Sequence, residues 1–286
     1  MCERDTIAAG FDWAVNRREL ALGALASLAA CSGRSAGGSA AALSEERVRL
    51  ATPDGTMDAF FVAPARGRHP AILTWPDIAG LRDAYQVMAR RLAGDGYSVL
   101  VADTYYREAP APRFRDLADF AAQDGFRRSE AWRAKLDAAA IGRDAAAAIA
   151  WLDGRPEVDT KRGVGTHGYC LGGAYTVWAA AAVPERVHAA ASFHGWRLVV
   201  PDDPQSPHRL LGRTKAQYLF AIGRNDDAKD PGEKEVLRAA AAAAGRPAEI
   251  EVYPADHGWM TIDSDVYDRA AAERGWARMR ALFRTM

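Results

Sequence analysis

The chain of 286 residues is poor in cysteine, has no net charge and lacks a long apolar run. Each shortage excludes something. Three cysteines, Cys2, Cys31 and Cys170, do not make the disulfide framework that staples small secreted folds. Lys plus Arg and Asp plus Glu stand at 37 each, with no block of one sign, so nothing favours a nucleic-acid partner or a charged tail. No stretch offers the ~20 consecutive apolar residues of a mature transmembrane helix. There are no internal repeats. What remains is enough chain for one large α/β domain with a full core.

Residues 1–44 do not read as fold. Asn16-Arg17-Arg18-Glu19-Leu20 leads into an apolar stretch, Leu20 to Ala30, and a Gly/Ser/Ala-rich linker runs on to Ala42. Paired arginines, a short apolar segment and small residues before a cut site are features of export signals. Leu28-Ala29-Ala30-Cys31 resembles the bacterial lipobox, whose cysteine is lipidated and becomes the new N-terminus. Asn16 before the arginines, and the acids Glu3, Asp5 and Asp12, depart from the fuller twin-arginine pattern. The expectation is an exported lipoprotein, tethered by Cys31 on the periplasmic side of a bacterial envelope. The alternative is a cytoplasmic protein with an N-terminal extension.

The folded domain is expected at residues 45–286. Arg47–Ala51 and Met57–Val62 flank Pro53-Asp54-Gly55, a hairpin signature. Pro70–Trp75, Ser98–Ala102, Gly163–His167, His188–Phe193, Gln217–Ile222 and Ala248–Tyr253 read as further strands. Helical patterns cover Arg82–Ala93, Ser129–Leu152, Leu171–Val183, Gly232–Ala244 and Ser264–Thr285, and Pro110–Gln123 reads as an irregular excursion. This predicts an α/β fold: a mostly parallel sheet of eight strands, helices on both faces, and an N-terminal β-hairpin. In such sheets functional residues gather at the carboxyl ends of strands. The polar residues there are Asp77, Asp103, Arg107, Cys170, His194, Asp226 and His257.

Gly168-Tyr-Cys170-Leu-Gly172 is the nucleophile-elbow pattern with Cys in place of Ser. A nucleophile on a sharp strand-to-helix turn needs small residues two before and two after it, or side chains collide across the turn. The elbow also sets Cys170 at a helix N-terminus, where the dipole favours an anion. An α/β-hydrolase orders its triad as nucleophile, acid and histidine. Cys170, Asp226 and His257 follow that order, each after a different strand. Asp227 is a rival for the acid; the spacing Gly223-x-x-Asp226 favours Asp226. A thiolate is also a good leaving group, so enol lactones, aryl esters and thioesters suit it and plain amides do not.

These motifs, with Asp77-Ile-Ala-Gly80, Asp103-Thr-Tyr-Tyr-Arg107-Glu-Ala-Pro110, Gly223-Arg-Asn-Asp226 and His257-Gly-Trp259, resemble the dienelactone hydrolases over residues 45–286. The resemblance implies a Cys-His-Asp hydrolase of small esters or lactones, of the carboxymethylenebutenolidase type, without metal or organic cofactor. It implies oxyanion donors at the backbone N–H groups of Leu171 and Ile78. It implies that Asp77 contacts the resting thiol, although Asp stands where the best-known members have Glu; a helix cap near Arg82 is the other reading of Asp77. Arg107 matches an arginine that binds the substrate carboxylate, while the second such position holds Thr261. His194 is taken as structural. The expected partner is a small-molecule substrate, and the expected form a monomer. An exported binding protein on the same fold, without turnover, is the competing reading.

Overall fold

The computed structural model describes residues 42–286, so the expected export signal and Cys31 fall outside the described residues. One sheet runs through the domain. Its strands are β1 (Leu43–Thr52), β2 (Gly55–Pro64), β3 (Ala71–Trp75), β4 (Ser98–Ala102), β5 (Val164–Tyr169), β6 (Val187–Phe193), β7 (Gln217–Gly223) and β8 (Ala248–Tyr253). The order across the sheet is β1-β2-β4-β3-β5-β6-β7-β8. The hairpin pairs in register from Leu43↔Pro64 to Thr52↔Gly55, which leaves Pro53 and Asp54 as a tight turn. β2 meets β4 antiparallel, and every later pairing is parallel.

The helices that cover the sheet are α1 (Asp83–Gly94), α2 (Ala138–Asp153), α3 (Leu171–Ala182), α4 (Arg224–Lys229), α5 (Glu233–Ala243) and α6 (Arg269–Phe283). Successive strand residues point to opposite faces, so each central strand feeds two cores. Leu73 and Leu100 pack with Ile141 and Ala145 of α2, Val177 of α3 and Leu237 of α5. Their neighbours Ile72 and Val99 pack with Tyr85 and Met88 of α1 and with Trp276 and Met279 of α6. β3, β4 and β5 are buried along their whole length, as strands covered on both faces must be. Among the described residues, no helix is long and apolar enough to cross a membrane.

Three stretches differ from the sequence reading. The helix expected over Ser129–Leu152 is two: a short one, Glu130–Arg133, and α2 from Ala138. Between them Leu136 is buried and the Asp137 carboxylate accepts the Ala140 N–H at 2.7 Å, so a cap restarts the helix. The excursion at Pro110–Gln123 contains a helix, Leu117–Ala122, capped by Asp116 on the Asp119 N–H at 2.7 Å. Its Phe120 packs with Phe114 and with Ala79 beside Ile78. The last helix starts at Arg269, not Ser264, because Asp268 caps it through the Ala271 N–H at 2.8 Å.

Candidate active site

β5 ends at Tyr169, α3 begins at Leu171, and Cys170 turns the chain between them at φ +51° and ψ −114°. A non-glycine residue there costs about 1–3 kcal/mol and persists only where its surroundings over-determine it. Here the Cys170 N–H donates to the Phe193 carbonyl at 3.1 Å and to His194 Nδ1 at 3.2 Å. The Cys170 carbonyl accepts from Gly173 N at 3.0 Å and Trp196 N at 2.9 Å. The flanking glycines are sterically required. A Cβ on Gly168 would collide with the Gly172 carbonyl, and one on Gly172 with the carbonyls of Trp75 and Pro76. That close approach sets the loop after β3 against the start of α3. Among the described residues, the N–H groups of Leu171 and Ile78 have no hydrogen-bond partner.

The loop after β8 carries His257, which is half-buried. Its Nδ1–H donates to Asp226 Oδ2 at 2.8 Å, and its backbone N–H donates to Asn225 Oδ1 at 2.8 Å. Asp226 and Asn225 lie in the first turn of α4, directly after β7. Asp227 turns instead to Lys234, so Asp226 is the one of the two acids that meets His257. With Nδ1 committed, Nε2 is the ring atom left for the thiol. Burial alone would lower the His257 pKa. The negative charge of Cys170 and side-chain hydrogen bonds to Asp226 and Cys170 outweigh it and push the pKa up to about 10. The site therefore favours the imidazolium form of His257 beside Cys170.

Two expected residues are elsewhere engaged. Asp77 does not cap α1, whose N-cap position is Arg82 with no side-chain cap. Its carboxylate accepts the Ala79 N–H at 3.0 Å and takes a two-pronged bond from Arg82 at 2.7 and 2.9 Å. The other edge of Arg82 binds Asp263 at 2.7 and 2.8 Å, and the arginine side chain is fully buried. Arg107 is held by Asp144 at 2.9 and 2.7 Å and by Asp54 at 2.5 Å, tying the hairpin turn to α2. Thr261 is wholly buried. Neither position of the expected carboxylate clamp thus presents a free guanidinium.

A cavity of about 410 Å³ opens beside Leu171. Tyr175, Trp178 and Trp196 line it together with Arg133 and Arg197, and Arg107 does not. Tyr175 and Trp178 stack at 5.4 Å between ring centroids. The Tyr175 hydroxyl is buried without a partner among the described residues. Sequence reasoning missed Asn225 and Arg82. Asn225 stands inside the Gly223-x-x-Asp226 motif, whereas nothing local distinguishes Arg82 from a surface arginine at the start of a helix.

An eight-stranded sheet of this order, with a cysteine at the strand-to-helix elbow, defines an α/β-hydrolase. The model of the dienelactone hydrolase family matches residues 57–286, and the chain belongs to that family. It is a hydrolase of the lactone- and ester-cleaving kind. It is similar to a protein of Methylorubrum extorquens named "Putative carboxymethylenebutenolidase", with 28% identity over 83% of this chain and 79% of the relative. It is similar also to the carboxymethylenebutenolidase of Rhodococcus opacus, at 26% identity over 76% of this chain and 81% of that one. A solved structure from Klebsiella pneumoniae, described as a "Putative Dienelactone Hydrolase", superposes with a TM-score of 0.71 at 26% identity. That superposition covers 86% of this chain and 100% of the other.

Proposed function

We propose that Cys170, His257 and Asp226 form a catalytic triad that cleaves a small activated ester or lactone. The observation that carries this is the Nδ1–Asp226 bond at 2.8 Å on a histidine that interacts with the elbow cysteine. The Cys170 thiolate attacks the substrate carbonyl carbon, and the N–H groups of Leu171 and Ile78 hold the resulting oxyanion. As the tetrahedral adduct collapses, the C–O bond to the leaving oxygen breaks and His257 gives that oxygen its proton. A thioester on Cys170 remains. His257, now neutral, takes a proton from water, whose oxygen attacks the thioester. The acid departs and the thiolate and imidazolium are restored. Asp226 keeps the imidazole in the tautomer that serves both transfers.

The rings at Tyr175, Trp178 and Trp196 suit an apolar, flat substituent. With Arg107 bound to two carboxylates and Thr261 buried, the clamp expected for dienelactone is not formed by those positions, and the guanidinium groups at the cavity are those of Arg133 and Arg197. The test is turnover of an activated aryl ester and of a dienelactone by wild type and by Cys170→Ala. The variant is expected to lose at least about a thousandfold in kcat. Turnover surviving in the variant contradicts the triad. Stoichiometric binding without turnover by wild type supports a binding protein on a hydrolase fold.

For residues 1–44 the proposal is export, with lipidation of Cys31 and a periplasmic tether for the domain that starts at Glu45. Its support is the paired Arg17-Arg18 and Leu-Ala-Ala-Cys31. Mass spectrometry of the mature N-terminus checks it: a lipidated Cys31 is expected, and a chain still starting at Met1 or Cys2 refutes it.

A further inference from the structure

β6 ends at Phe193, and His194 follows it at φ +38°, only 1% exposed. Its backbone N–H donates to Ala221 at 2.7 Å, and its Nδ1 accepts the Cys170 N–H at 3.2 Å. An accepting Nδ1 carries no proton, so the ring is neutral with its hydrogen on Nε2. Among the described residues that buried Nε2 has no partner. Leaving a buried donor unpaired is unfavourable, and an apolar residue of similar size would fill the space without that penalty. The ring's nearest aromatic neighbour is the imidazole of His257, 4.9 Å away between centroids and inclined at 63°. Trp259 and Tyr169 close the remaining sides at 6.0 and 6.1 Å.

Two contacts therefore meet on one ring: one to the strained peptide of the elbow cysteine, the other to the histidine paired with it. We infer that His194 is a positioning residue, whose unprotonated Nδ1 holds the Cys170 peptide in its positive-φ turn while its neutral ring walls His257 against the thiol. This inference rests on the proposed reading of Cys170 as nucleophile. A neutral acceptor is the group the place requires. A backbone carbonyl already shares the Cys170 N–H, and a cation would repel the His257 imidazolium. Burial and the charge of His257 both hold the His194 pKa well below the usual histidine value.

The test uses two substitutions that both tolerate a positive φ. His194→Asn keeps an acceptor atom where Nδ1 stood, and His194→Gly removes it. The measurements are kcat and KM for an aryl ester and the pH midpoint of Cys170 alkylation by iodoacetamide. In His194→Gly, kcat is expected to fall about 10–100-fold with KM changed less than about threefold, because the reacting groups are misplaced, not the substrate. The alkylation midpoint is expected to move to higher pH, and His194→Asn to recover most of both losses. Equal kcat losses in the two variants, with an unmoved midpoint, overturn the inference and leave His194 as filler. NMR of isotope-labelled histidine gives a reading on wild type that needs no variant to fold. The Nε2–H tautomer supports the inference; an Nδ1–H tautomer or a cationic His194 overturns it. A wild-type Cys170 alkylated no faster than an ordinary thiol fails the reading of the nucleophile itself, which is a separate result.

Discussion

Asp77 and Asp226 both stand just past the carboxyl end of a sheet strand, yet their surroundings give them different work. Asp226, 18% exposed in its side chain, meets an imidazole. Asp77, 5% exposed, meets a guanidinium that a second carboxylate, Asp263, grips from the other side. An imidazole can gain and lose a proton near neutral pH; a guanidinium cannot. The first carboxylate can therefore tune a proton transfer, and the second can only hold things in place. What it holds is relevant to the site. Asp77 precedes Ile78, Asp263 lies six residues beyond His257, and Arg82 ties the two loops together. The lesson is that a strand-end acid takes its role from the cation its neighbours supply.

The sharpest way to break this comparison is to neutralise each acid in turn. Asp226→Asn is expected to lower kcat by about a hundredfold to ten-thousandfold through the wrong imidazole tautomer, with folding intact. Asp77→Asn should change kcat by less than about tenfold and instead lower the melting temperature. Equal losses of kcat in the two would erase the distinction.

Next in size is Arg82→Met. It leaves Asp77 and Asp263 buried without their cation, and urea unfolding should show a loss of about 3–5 kcal/mol. A variant as stable as wild type would mean that the triple ion pair is not structural.

The pH dependence sharpens the other side. The folded pKa of His257 lies near 10, above its ordinary 6.5, so the stability it contributes is complete below 6.5 and is lost as pH rises through about 10. In the proposed mechanism the imidazolium supplies the leaving-group proton, so kcat should fall across the same upper limb. Cys170→Ser removes the sulfur group that raises the His257 pKa, and a folded-state titration of His257 should then show its midpoint well below that of wild type. An unmoved midpoint would detach the imidazolium from Cys170.

The smallest effect is expected from Arg107→Gln. It loosens the tie between the hairpin turn and α2, for a loss of about 1–3 kcal/mol in thermal or urea unfolding. The ratio of kcat/KM for a dienelactone over a neutral aryl ester should stay where it was. A selective loss of the dienelactone would return Arg107 to the substrate.

What could be read in the sequence follows the same division. The eight strands, the helices on both faces and the elbow are matters of backbone. A small residue at Gly168 is demanded by the Gly172 carbonyl within the turn itself, whereas the one at Gly172 is demanded by the carbonyls of Trp75 and Pro76 from the loop after β3. Cys170, Asp226 and His257 stand out in the sequence because each follows a different strand, and the structure pairs His257 with Asp226. Asp227 is set apart from Asp226 by its contact with Lys234, seven residues further on in the first turn of α5. The ion pairs that hold Asp77 and Arg107 were hidden for a similar reason. Arg107 pairs with Asp54 and Asp144, and the Arg82 that holds Asp77 is itself gripped by Asp263; ion pairs between residues so far apart in sequence leave no local pattern. The break before α2 was hidden because Asp137 and the alanines after it suit a helix interior and a helix start alike.

The central claim is that the acyl group passes through Cys170. The most direct measurement is rapid mixing of wild type with a chromogenic aryl acetate, acid quenching within one turnover, and mass spectrometry of the peptides. The account predicts a burst of the phenol and one acetyl group on the peptide that carries Cys170, absent in Cys170→Ala. Steady turnover with no acyl group on that peptide, or with the acyl group on another residue, would contradict it.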